Sequence, residues 1–248
     1  MTSPVPRAWR RAWEILRWRG PVYFLLLALR EVLRPVMYWY AWNIYLTDLQ
    51  APLTQPYAKG KFNVRIFAGD VTGGKDLEIA RQQLASLGEP LPDNFAARLN
   101  RGDALAIVYG GREPVAAGWM TFSSGMELAY GTTWILQANE GTQYAAFVLP
   151  KWRGHGIFSV LNVALNTYAR EHGVLRSVGS ISVLNTQSLS MAKRLGKKKI
   201  MTVILVRVRG VGWTFQTAIG APLRTRFAGK GADLRIAEGA GMGIGHKA

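Results

Sequence analysis

The residues with the clearest chemical potential run from Val148 to Ile157, in the order Val-Leu-Pro-Lys-Trp-Arg-Gly-His-Gly-Ile. An apolar strand pattern, Tyr144 to Leu149, stops at Pro150, and a short loop follows with Gly154 and Gly156 one residue apart. A helical pattern then begins, with Ile157, Val160, Leu161, Ala164, Leu165 and Tyr168 on one face, and Gly173 ends it. The first N–H groups of a helix lack intrahelical partners, and the helix dipole puts partial positive charge there. Glycines let a backbone come close to a phosphate. Arg153, Gly154, His155, Gly156, Ile157 and Phe158 therefore form a candidate diphosphate cradle. By itself the pattern also suits an ordinary tight turn. It is neither a Walker loop nor a dinucleotide fingerprint, since both need further glycines at fixed spacing.

A second stretch lies at a fitting distance. After a strand pattern at Arg176–Val183 comes Asn185-Thr186-Gln187-Ser188, leading through Met191 and Ala192 to Lys193-Arg194-Leu195-Gly196. The first stretch resembles motif A of the GNAT superfamily of N-acyltransferases, a strand followed by Gln/Arg-x-x-Gly-x-Gly/Ala at a helix start. Lys151 stands at the motif's first position and keeps the charge. The second stretch resembles the superfamily's last helix, opened by Asn and closed by Lys/Arg-Leu-Gly. The resemblance covers roughly Phe62 to Arg209.

It implies an α/β (α+β) fold with a central mixed, mostly antiparallel sheet flanked by helices. It implies an acyl group, acetyl or another, moved from acyl-CoA to an amine by direct attack. Phe147 and Val148 would line the thioester arm, with a backbone N–H near Val148 facing the oxyanion. Arg153 to Phe158 would hold the diphosphate, while Asn185 either caps its helix or bonds the pantetheine, assisted by Ser188. The proton-transfer residues depart from the pattern. Ala192 stands where many members carry a Tyr general acid, and Lys197 stands where a Phe usually follows the closing glycine. The expected strand Glu is missing, which leaves Glu140, just upstream, and Tyr144 as catalytic candidates, with Glu127 as a further nearby carboxylate.

The elements around these residues follow from pattern. Phe62–Phe67, Ala104–Tyr109, Val115–Phe122, Leu128–Leu136 and Lys199–Arg209 read as strands, and Asp76–Leu87 and Pro92–Asn100 as helices. Residues 1–60 read as an N-terminal helical extension and linker, 61–210 as the acyltransferase domain, and 211–248 as a Gly-rich basic tail, loose from Gly229 on. Trp9, Ala12, Trp13 and Leu16 share a helical face, and two apolar runs, Pro21–Leu29 and Val36–Leu46, are separated by Arg30, Glu31 and Arg34. Neither run reaches the roughly 18 apolar residues of a spanning helix. Interfacial attachment to a membrane, packing on the core and pairing of two subunits stay open for this segment.

The chain has 248 residues and no cysteine, which excludes disulfides, thiolate metal sites and a cysteine nucleophile. Its three histidines, His155, His172 and His246, show no metal-ligand spacing, so no metal is expected. A net charge of +16, from 31 Lys+Arg against 15 Asp+Glu, calls for an anionic partner. Acyl-CoA, an acyl carrier protein and an anionic membrane surface suit that charge, with nucleic acid the least favoured. The basic run Lys193, Arg194, Lys197, Lys198 and Lys199 would meet a cofactor phosphate, a carrier protein or only solvent. A long-chain N-acyltransferase fed by carrier protein and a non-catalytic acyl-CoA-binding protein are the alternative functions. The expected location is the cytoplasm or the inner membrane face.

Overall fold

The structure, a computed structural model, describes residues 16, 20–33, 36–69, 75–88, 95–123, 126–129, 132–208, 211–218, 224–228 and 232–235. The helix expected around Trp9 and Trp13 lies outside them. Helix α1 (Pro21–Leu33) leads into strand β1 (Met37–Asp48). β2 (Asn63–Phe67), α2 (Lys75–Ser86), α3 (Phe95–Asn100), β3 (Ala104–Gly110) and β4 (Glu113–Thr121) follow. Two short strands, β5 (Met126–Ala129) and β6 (Thr132–Ile135), precede β7 (Glu140–Val148), α4 (Ile157–Glu171), β8 (Arg176–Ser182), α5 (Thr186–Arg194) and β9 (Lys198–Val208). The last described strands are β10 (Val211–Ala218), β11 (Arg224–Ala228) and β12 (Ala232–Arg235).

Nine strands make one sheet in the order β11-β10-β9-β1-β8-β7-β4-β3-β2, and β12-β6-β5 form a small second sheet. The large sheet is antiparallel except at β7–β8, so it is mixed and mostly antiparallel, as the resemblance implies. Period-two alternation explains why it is covered on both faces. Leu105 and Ile107 of β3 pack with Ala80 and Leu84 of α2 and Phe95 and Leu99 of α3. Ala106 and Val108 face the other way and pack with Ile157, Leu161 and Leu165 of α4. α4 approaches closely over Gly118, where a Cβ would lie 2.9 Å from Leu161.

Three expectations are corrected. Within the expected helical extension Pro21–Leu33 is the helix α1, but the Val36–Leu46 run is the strand β1, inserted between β8 and β9. Trp42, Ile44 and Leu46 alternate inward and join Val178, Ile200, Val203 and Leu205 in a core of their own. The aromatic run masks a strand period, and pairing on both edges decides the outcome. Residues 211–218, expected in the Gly-rich basic tail, form β10 paired along β9, with β11 beyond. Leu128–Leu136, expected as one strand, is divided between β5 and β6.

Candidate active site

β7 and β8 run parallel for only three pairs, Glu140↔Arg176, Gly141↔Ser177 and Thr142↔Val178. Beyond Thr142 they part, and from Gln143 to Val148 the β8-facing edge of β7 has no strand partner among the described residues. β7 stays paired with β4 on its other side, but with a bulge. Ala145 and Ala146 together oppose Gly118, and Ala145 has φ +46°, the left-handed region an alanine enters at a cost of about 1–2 kcal/mol. Such a bulge re-aims the strand where it borders the gap. Amides fix α4 at the gap's origin. Gln143 Nε2 donates to Asn166 Oδ1 at 2.8 Å and to the Asn162 carbonyl at 3.2 Å, and Asn162 Nδ2 donates back to Gln143 Oε1.

The chain leaves β7 through a single 3-10 turn, Pro150–Trp152, and enters α4 through two left-handed glycines, Gly154 at φ +82° and Gly156 at φ +76°. No side chain caps α4. Among the described residues, the N–H groups of Gly154, His155, Gly156, Ile157 and Phe158 donate to no protein acceptor. Five free donors at a helix N-terminus fit a diphosphate. Trp152 anchors the loop, edge-on to Phe62 and His155. Arg153 is exposed and turns its Nε back to the Val148 carbonyl at 3.3 Å. Lys151, at the motif's first position, instead pairs with Glu113 at 2.6 Å on the exposed surface.

The two loop glycines serve different ends. A Cβ at Gly154 would meet nothing within 4 Å. At Gly156 it would lie 2.9 Å from Ala58 Cα and from the Tyr57 carbonyl oxygen. The presumed linker is therefore a strap packed on the loop. Thr54 Oγ1 donates to the Leu195 carbonyl at 3.2 Å, and the Tyr57 N–H to Ser159 Oγ at 3.1 Å. The Lys59 N–H donates to the His155 carbonyl at 2.9 Å, and Arg194 lies over the Tyr57 ring at 5.7 Å. Burial raises the Tyr57 phenol above its ordinary range, against the opposing charge of Arg194. Sequence reading missed this strap because Pro52, Pro56 and Gly60 give only a linker signal.

Asn185 caps α5, its Oδ1 accepting the Ser188 N–H at 3.3 Å. At the other end Gly196, at φ +67°, lets the Lys197 N–H return to the Ala192 carbonyl at 2.9 Å. The Asn-to-Gly signature is thus a helix capped at both ends. Ala192 is fully buried. Lys197 is half-buried, and burial lowers its amine to about 8.

The catalytic candidates do not converge on the gap. Glu140 opens β7 at its far end, eight residues or about 25 Å of strand from Val148. It is buried, accepts the Gln137 N–H at 3.1 Å and lies 3.2 Å from Arg176 Nη2. Tyr144 is closer but points across β4, away from β8. Its ring stacks on Trp119, and its hydroxyl donates to Asp103 Oδ2 at 2.6 Å. Asp103 is fully buried and paired with Arg101 at 2.5 Å. Burial, then the bond to Asp103, raises the Tyr144 phenol well above its ordinary range, which makes it a poor acid. Glu127 lies on β5, in the small second sheet.

No protein-family model matches the sequence, and no curated protein matches it. Solved structures superpose loosely. A functionally unknown conserved protein from Staphylococcus epidermidis shares 12% identity over 84% of this chain and 82% of its own, at a TM-score of 0.44. A GCN5-related N-acetyltransferase from Sphaerobacter thermophilus shares 17% over 73% of this chain, at 0.47, and this chain covers 56% of its length. An aminoglycoside acetyltransferase, AAC(6')-Iy, in complex with a CoA bisubstrate analogue shares 18% over 56% of this chain and 92% of its own, at 0.42. At such low superposition scores the weight falls on this chain's own geometry. That geometry is a mixed, mostly antiparallel sheet flanked by helices, with a parallel strand pair parting beside a glycine loop.

Proposed function

We propose that the chain is an N-acyltransferase that takes its acyl group, acetyl in the simplest case, from acyl-CoA and passes it to an amine. The observation that carries this reading is the gap between β7 and β8, opening beside five unpartnered N–H groups. An extended pantetheine arm suits the unpaired edge of β7 as an added strand would, and Gly154 to Phe158 suit the diphosphate. Bound there, acyl-CoA supplies an activated thioester. Backbone N–H groups near the Ala145 bulge and Val148 would favour the developing oxyanion in this reading. The bulge and the amide-fixed α4 hold that edge in position, which is where direct attack gains most of its rate. Glu140 and Tyr144 take no part in proton transfer in this reading, and the amine proton leaves through water.

The test is thiol release from acetyl-CoA with a panel of amines, beside calorimetry of CoA binding. Binding with amine-dependent thiol release supports the proposal. Binding without turnover leaves a non-catalytic acyl-CoA-binding protein, and no binding removes both readings.

A further inference from the structure

Helix α1 carries an exposed apolar stripe. Val22, Leu25, Leu29 and Val32 are 70%, 64%, 52% and 75% exposed, and Val36 just beyond the helix is 53% exposed. Spacings of three, four and three residues put the four helical positions within one narrow sector. The helix packs on β1. Phe24, Leu26 and Leu33 are partly covered, while the stripe faces solvent. Large apolar side chains grouped this way mark a surface that meets something apolar.

Charge says what that is. In the sequence, Arg7, Arg10, Arg11, Arg17 and Arg19 precede the helix, Arg30 lies in its last turn and Arg34 follows it, against only Glu14 and Glu31. Chain connectivity alone keeps Arg17, Arg19 and Arg34 within about 15 Å of the helix ends. A second copy of this chain would set the same arginines against each other across a two-fold axis. The stripe is also small, on the order of 400 Å², about half of what each partner buries in a standard protein interface. A narrow apolar stripe with cationic flanks fits a bilayer surface with negative headgroups, where side chains enter the acyl boundary and arginines stay at the phosphates. No helix among the described residues is long and apolar enough to cross a membrane, so the helix would lie in the surface plane.

We propose that α1 docks the protein flat on an anionic phospholipid bilayer through Val22, Leu25, Leu29 and Val32. The test is co-flotation of the full chain with phosphatidylcholine vesicles, with and without phosphatidylglycerol, beside light scattering without lipid. The expected result is a monomer that floats with phosphatidylglycerol vesicles, is partly released by salt, and binds pure phosphatidylcholine weakly. Leu25→Glu/Leu29→Glu should lower vesicle affinity at least about tenfold. The milder Leu25→Ser/Leu29→Ser should lower it less. Both variants keep the wild-type melting profile and CoA binding, because the replaced side chains touch solvent. Absence of flotation with phosphatidylglycerol vesicles overturns the proposal. So does a dimer that Leu25→Glu/Leu29→Glu dissociates, or flotation that these variants leave unchanged.

Discussion

The two ends of β7 are built in opposite ways. At Glu140, Gly141 and Thr142 the strand has β8 on one side and buried side chains around it, and the Glu140–Arg176 pair ties the two strand starts together. At Phe147 and Val148 its one strand partner among the described residues is β4, with a strained alanine just before and a glycine loop just after. One end spends polar residues on closure, and the other leaves backbone groups unpaired. Changes at the closed end should therefore move stability and spare binding, and changes at the open end should do the reverse.

The largest effect should come from Glu140→Gln, which leaves Arg176 without its carboxylate. Because Arg176 is partly exposed, the loss is expected at about 2–4 kcal/mol rather than the full cost of a deeply buried pair. Urea denaturation measures it, and CoA affinity should stay unchanged. A variant of full stability that had lost turnover would instead make Glu140 the base. At the open end, Gly154→Asp puts a carboxylate where the diphosphate is proposed, in a position with room for a side chain. CoA affinity should fall about 100-fold, since a helix N-terminus bearing an anion no longer favours one. Gly154→Asn, equal in size and as tolerant of left-handed backbone, should keep affinity within a few-fold. Gly156→Asp is a poor substitute, because its side chain meets the strap first.

Lys197, in the turn between α5 and β9, adds a pH test of stability. Its folded value, lowered to about 8 from 10.5, means that between those values the unfolded chain holds a proton the folded chain does not. Stability should rise as pH climbs through that window, and below about pH 8 the folded chain carries the cost of a half-buried charge. Lys197→Met should flatten the profile and gain roughly 1–3 kcal/mol at neutral pH. The smallest change is Tyr144→Phe. It removes one hydrogen bond to Asp103, for a loss of about 1 kcal/mol. Turnover should hold within a few-fold, whereas loss of a general acid costs roughly 10²–10⁴-fold.

The open end was the more legible in sequence. A period change from two to 3.6 across Pro150, with glycines between, can mean little except strand, loop and helix, and Gly173 and Gly196 close their helices as expected. The closed end was hidden because Glu140 is polar. Its burial rests on Arg176, far along the chain, and a local pattern carries no sign of such a partner. β1 was obscured differently. Tyr38 to Tyr45 is apolar or aromatic at nearly every position, so no alternation shows until strands on both sides bury it. Gly156 kept its expected backbone but not its expected neighbour, since the strap's approach depends on the whole path from β1 to β2.

The insertion of β1 between β8 and β9 also orders events in time. Asn43 takes a hydrogen bond from Thr202, 159 residues along the chain. During synthesis β1 leaves the ribosome early and must wait for both of its neighbours. β2, β3 and β4 can meanwhile zip together through near-neighbour pairing. Distant pairing is slow because loop closure precedes any reward, so the two halves should differ in hydrogen-exchange order during refolding. Amides of β3 and β4 should be protected first, and those of β1 among the last. For that interval the most aromatic strand of the chain stands unpaired, and it is the stretch a chaperone would have most reason to hold.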